Sequence, residues 1–332
     1  MLTILHFHCQ ISQVQHIFTL YDESIEIKGP QFLMELDINY KMKIRWEISE
    51  KRILSLQIKD LLIQANQDDL IQLKQHLDGR VIYLGIQNIY ETMELISAKE
   101  NSKVCQLEDR FTKACVCCKA LRKDAYEIEQ LYQSIMILYK LQQYSYFPRI
   151  YEIYESKTHL YIVQELMYQH ISVDLMHEEI QIIIYELLKI VKILIENKIY
   201  YSKIKLSKLM LDKKGNLRLI GFCPAQQTNE IDVENYLDKI GNIMMNLYGV
   251  NDNFNSLPKI ADNGNEFIVG LMNPNRDYRF SYEDAMQHEY IKNIFSESNL
   301  IQHKSPSPKL ITDVTESLTF YSKKGSCFQK QY

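Results

Sequence analysis

Three lysines, Lys203, Lys205 and Lys208, crowd one short stretch of the chain. Their ammonium groups can hold an anion. They cannot hold Mg²⁺, which takes oxygen ligands. A lysine is no base near pH 7 unless burial lowers its pKa by several units. The three therefore read as a solvated loop face or as an anion site. After them come Leu209, Met210 and Leu211, then the turn Asp212-Lys213-Lys214-Gly215-Asn216, where Gly215 is free to take a positive φ. Leu217, Leu219 and Phe222, interrupted by Arg218 and Gly221, predict a second strand, giving a hairpin beneath the lysine loop. Cys115, Cys117 and Cys118 are the other group with reactive chemistry. They fall on alternate faces of one short strand and lack a second ligand pair, so they read as buried thiols rather than a zinc site.

The chain has 332 residues, enough for one large domain or two of ordinary size. A net charge of −4 argues against a nucleic-acid surface as its main business. The start, Met1-Leu2-Thr3-Ile4-Leu5-His6, has no basic segment and its apolar run breaks at His6, so no signal peptide is expected. The strongest apolar helix, expected over 180–199, carries Glu186, Lys189, Lys192 and Glu196 and is too charged to span a membrane. Seven cysteines without a secretion signal point to reduced thiols and a cytoplasmic location.

Residues 1–84 are expected to form a separate β-rich domain with a closing helix. Met42, Ile44, Trp46 and Ile48 alternate with charged neighbours and predict one buried strand face. A hairpin is expected around Tyr21-Asp22-Glu23, with further strands in 53–62. Asp68 and Asp69 suit a helix N-terminus and Gly79 its stop. Strands followed by one helix are similar to a pleckstrin-homology (PH) domain. In that register Leu73 stands where the typical tryptophan would be. The stretch Phe7 to Gln13, taken as the first inter-strand loop, has no lysine or arginine, so lipid binding is not expected and docking or protein contact is.

From Tyr90 onward the chain resembles eukaryotic protein kinases. Tyr201-Ser202-Lys203, Lys205 and Lys208, followed by the hairpin and Gly221-Phe222-Cys223, keep the frame of H-R-D-L-K-x-x-N and D-F-G. In that frame Lys203 replaces the catalytic aspartate, Lys205 matches the loop lysine, Lys208 replaces a metal-holding asparagine and Gly221 replaces the second metal ligand. The glycines of the phosphate loop fall at Ser97, Lys99 and Ser102, beside Glu100, and side chains there oppose close backbone approach. Val104 matches the residue covering the adenine. Ala114 to Leu121 resembles the V-A-I-K strand, with Lys119 as its lysine. The partner glutamate of that lysine falls at Ser134, while Glu129 would serve only if the helix shifted by more than a turn. The strands 147–155 and 159–167 lead to a hinge at Glu165 to Met167, with Gln164 as gatekeeper. A helix over 240–249 is expected soon after Cys223, with Tyr236 at the place of its opening aspartate. Arg279 matches an arginine that normally pairs with a glutamate. Ser281 and Asp284 look like a helix cap. Leu138, Tyr201 and Phe222 stand where kinases stack apolar residues.

The resemblance implies an α+β, bilobal protein-kinase-like fold over 85–293 (85–166 and 167–293), preceded by the small β-rich PH-like domain. A polar tail, 294–332, follows and is expected to be disordered, with Ser305 and Ser307 before prolines. The catalytic positions Lys203, Lys208, Gly221 and Ser134 are degenerate, which implies a pseudokinase acting as a regulatory or scaffolding module on protein partners, an active kinase among them. The alternatives are a weak Ser/Thr kinase and a sensor that binds ATP without Mg²⁺. Val104, Lys119, Glu165, Met167 and Lys205 are the candidate nucleotide contacts, and no metal ligand is expected.

Overall fold

The structure, a computed structural model, describes residues 2–49, 52–172, 175–221, 225–228, 230–250 and 262–295. Phe222 and Cys223, and the tail with Ser305 and Ser307, lie outside the described residues. The N-terminal strands are β1 (Thr3–Ile11), β2 (Val14–Tyr21), β3 (Ser24–Gly29), β4 (Phe32–Asp37), β5 (Lys43–Ser49), β6 (Arg52–Ile58) and β7 (Leu61–Ala65), followed by helix α1 (Gln67–Leu77). Alternation buries Met42, Ile44 and Trp46 as expected, with Ile48 half-buried. The supposed loop at Phe7 to Gln13 is corrected: Phe7, Cys9 and Ile11 face the core from β1, and the turn is Ser12-Gln13, both at positive φ. The strands are antiparallel neighbours in the order β4-β3-β2-β1-β7-β6-β5. α1 opens on Asn66, whose side chain accepts from the Asp68 N–H, and buries Leu70, Leu73 and Leu77.

A second correction concerns the junction. Residues 1–84, expected as a separate domain, are not joined to the rest by an open linker. Instead Val81, Ile82 and Tyr83 are fully buried, and β8 (Ile82–Leu84) runs through the middle of the molecule. It pairs in parallel with β5, Ile44 opposite Tyr83, and with β12 (Ile150–Glu155), Tyr154 opposite Tyr83. The strands β9 (Tyr90–Lys99), β10 (Ser102–Asp109), β11 (Cys115–Arg122), β12 and β13 (His159–Gln164) thereby join the N-terminal strands in one 13-stranded sheet. Trp46 and Leu73 share their core with Leu107, Val116 and Val163. A core of its own for residues 1–84 fails because three apolar residues in a row, flanked by unpaired edges on both sides, make a better strand than a loop.

Buried charge locks the junction. Glu152 on β12 accepts from Lys74 of α1 and from the hydroxyls of Tyr90 and Tyr154, each at 2.8 Å. Glu155 is held between Lys43 of β5, at 2.6 Å, and Lys123. Tyr40 contributes its ring to α2 (Ile128–Leu141), 5.8 Å from the ring of Tyr132.

The rest of the chain is mainly helical. β14 (Gln169–His170) precedes α3 (His177–Glu196), whose buried stripe includes Ile180, Ile184, Leu187 and Val191. β15 (Ile199–Tyr200), β16 (Leu209–Leu211), β17 (Leu217–Leu219) and β18 (Gln226–Gln227) carry the lysine loop. Next come α4 (Val233–Leu247), α5 (Asp262–Met272), α6 (Tyr282–Gln287) and α7 (Glu289–Lys292). α4 starts seven residues before the expected 240, because Asp232 caps it by accepting from the Asn235 N–H. Ser281 and Asp284 form the expected capping box. The helix they cap ends at Gln287, and the ring of His288 accepts from the Tyr290 N–H and starts α7. No helix among the described residues is long and apolar enough to cross a membrane.

Candidate functional site

The lysine loop is held from below by tyrosines. Tyr201 is fully buried, and its hydroxyl donates to the carbonyl of Ile220 at 2.9 Å. Its own N–H donates at 2.7 Å to the hydroxyl of Tyr236, which donates in turn to the Ile199 carbonyl at 3.1 Å. Tyr236, expected at the place of a helix-opening aspartate, thus ties α4 to the loop backbone. Beneath the loop, Asp212 closes the hairpin turn. Its buried carboxylate accepts from the Lys214 and Asn216 N–H groups and from Arg218 at 2.6 Å. These bonds hold its pKa below the usual carboxylate range despite burial. Arg218 also lies 3.8 Å from Glu165, linking the hairpin to the hinge.

Gly221 sits at φ +91°, in the left-handed region that favours glycine. A β-carbon there would lie 3.2 Å from both Cδ of Lys208 and the Tyr201 hydroxyl. The Lys208 stem therefore fills the space into which a side chain at 221 would project. The backbone fixes this arrangement, since the Lys208 N–H donates to Lys205 and its carbonyl accepts from Ile220. The Lys208 ammonium is held below the usual lysine range by burial, then by the charges of Lys99, Lys119, Lys205 and Lys203. Lys119, Lys203 and Lys205 thus act on the Lys208 charge, and Lys99 acts with them. Sequence reasoning treated Lys99 only as a missing glycine, although its lysine identity at a phosphate-loop position was a usable signal. Ser102 pairs directly with Lys99, so β9 and β10 close in a tight turn at Glu100 and Asn101 rather than an open loop.

Lys119 pairs in register with Val104 on one side and Ile162 on the other. It forms no ion pair among the described residues. Ser134 does not face it: the buried Ser134 hydroxyl donates to the Ala225 carbonyl at 3.1 Å, and Glu129 is exposed. At the hinge the Glu165 N–H is spent on the Arg149 carbonyl at 2.8 Å, while Glu165 and Met167 are half-buried. Arg279, whose partner the sequence did not reveal, lies 3.7 Å from Glu234 of α4 and donates to the Asn273 carbonyl. Of the three cysteines, Cys117 and Cys118 are buried and Cys115 is exposed. Burial pushes the Cys117 thiol up to about 11.

Lys119 on β11, the stretch after β13 and the lysine loop over the hairpin of β16 and β17 follow one another in a mixed α+β arrangement. The family model that matches is that of the protein kinase domain, over residues 90–233. This stretch begins at β9 and ends at the first residue of α4. No curated protein matches the chain.

Proposed function

We propose that the chain is a catalytically silent kinase-like protein, a pseudokinase that acts as a regulatory or scaffolding module on protein partners. The observation that carries this reading is the packing of the Lys208 stem against Gly221. A metal under the phosphates needs oxygen ligands from both positions. One offers a hydrogen at a backbone angle hostile to carboxylates, and the other offers a cation. Loss of a general base alone costs about 10²–10⁴-fold, and Lys203 stands where that base would be. The test is phosphoryl transfer from ATP by purified protein, with Lys119→Ala as control. Background transfer in both supports the reading. Transfer well above background that Lys119→Ala abolishes overturns it in favour of an unorthodox Ser/Thr kinase.

A second reading is favoured by the lysine convergence. Lys99, Lys119, Lys205 and Lys203 all act against the charge on Lys208, and an anion would relieve that repulsion. On this reading Lys119, Lys205 and Lys208 would hold a triphosphate directly, without Mg²⁺, and Val104, Glu165 and Met167 would contact the base. The module is then a metal-independent nucleotide sensor.

A further inference from the structure

We propose that the N-terminal strands carry a separate anion site, for a compound or headgroup bearing two or more phosphate groups, in the cleft beside β5 and the β6–β7 turn. The strand pattern puts it there. Met42, Ile44 and Trp46 are buried, so Lys43 and Arg45 point outward from β5, about 7 Å apart along the strand, and Lys41 is exposed in the turn just before it. Ile44 pairs with Ile58, which brings Lys59 beside Lys43. Lys59 sits in the turn at φ +53°, and its carbonyl accepts from the Gln57 side chain at 3.2 Å. The cleft these residues line has a volume of about 580 Å³, with Met42 and Ile58 among its apolar lining.

The charges do not cancel. Lys43 is answered by buried Glu155 at 2.6 Å. Lys41, Arg45 and Lys59 form no ion pair among the described residues, and the acidic residue lining the cleft is Asp37. Like charges lining one concave, partly apolar surface focus a positive potential there. Phosphate suits it better than a single carboxylate. Arg45 offers a planar fork and the lysines offer point charges, and two phosphates can span cations about 7 Å apart. The stretch between β1 and β2, which has no lysine or arginine, takes no part in this cleft, which uses other strands.

The test uses the full chain at low salt. The soluble probe is inositol hexakisphosphate, followed by titration calorimetry. The membrane probe is phosphatidylcholine vesicles, plain or carrying phosphatidylinositol bisphosphate, followed by co-sedimentation. The triple variant Lys41→Gln/Arg45→Gln/Lys59→Gln alters exposed residues, and its thermal melt is compared with that of the wild type. The double variant Lys119→Gln/Lys208→Gln disables the other lysine cluster. Binding of the soluble probe that weakens about tenfold or more in the triple variant, as loss of charge-assisted contacts implies, and persists in the double variant supports the proposal. Co-sedimentation with the phosphoinositide vesicles alone, lost in the triple variant, assigns the phosphates to a membrane headgroup. Soluble binding without co-sedimentation assigns them to a free compound. No binding of either probe by the wild type overturns the proposal. So does binding that the folded triple variant retains, or that the double variant alone removes.

Discussion

The Lys208 stem fills the space in front of Gly221. Replacing Gly221 with aspartate to restore a metal ligand forces a side chain into a positive φ and against the Lys208 stem. Gly221→Asp is expected to destabilise the protein by about 1–3 kcal/mol, read as a lower urea midpoint, without creating Mg²⁺-dependent transfer. Lys208 gives a prediction of opposite sign. Its folded pKa lies below the unfolded value, so its share of stability is present above the unfolded pKa and lost as pH falls through the folded one. At pH 7 the charged amine is therefore a cost. Lys208→Met should raise the melting temperature, and the gain should shrink as salt screens the other lysines. No gain at low salt would contradict the account. These residues were legible in the sequence as departures from a motif. What was not legible is that Gly221 is demanded by its backbone angle, because φ is not written in a residue type.

Tyr236 and the Lys74–Glu152 pair show what holds the elements. Tyr236→Phe leaves the buried Tyr201 N–H without its acceptor, which should cost about 1–3 kcal/mol. The lysine loop should then show faster amide exchange. Lys74→Met leaves Glu152 buried against two tyrosine hydroxyls with no cation, a loss expected to reach about 3–5 kcal/mol. Neighbouring Asp78, which accepts from Lys74 and Tyr83, is pushed up to about 6 by burial. A raised folded pKa means its stabilisation is full below the unfolded value near 3.8 and lost as pH rises through about 6. Asp78→Asn should therefore flatten the fall in stability between those values in a series of thermal melts. Local periodicity revealed β5, α3 and the hairpin of β16 and β17 because one buried face leaves a sequence pattern. The inward turn of Ser134 toward Ala225 and the Arg279–Glu234 pair depend on residues far apart in the chain, for which no local pattern exists.

For the whole molecule, β8 matters most. Its pairing left no local signal in the sequence because its partners, β5 and β12, lie about forty and seventy residues away. Joined through β8, the N-terminal strands and the kinase-like strands share one sheet and one core. A chain beginning at Gly85 should therefore lose cooperative unfolding in the sheet half. The full chain should resist limited proteolysis between Gly79 and Tyr90, where cleavage would count against a single sheet. On the proposed reading ammonium groups stand where oxygen atoms would hold a metal, and calorimetric titration with ATP in EDTA and again in excess Mg²⁺ tests this most directly. The account predicts that any affinity is present in EDTA and is no stronger with Mg²⁺. Tight binding that appears only when Mg²⁺ is added would contradict it.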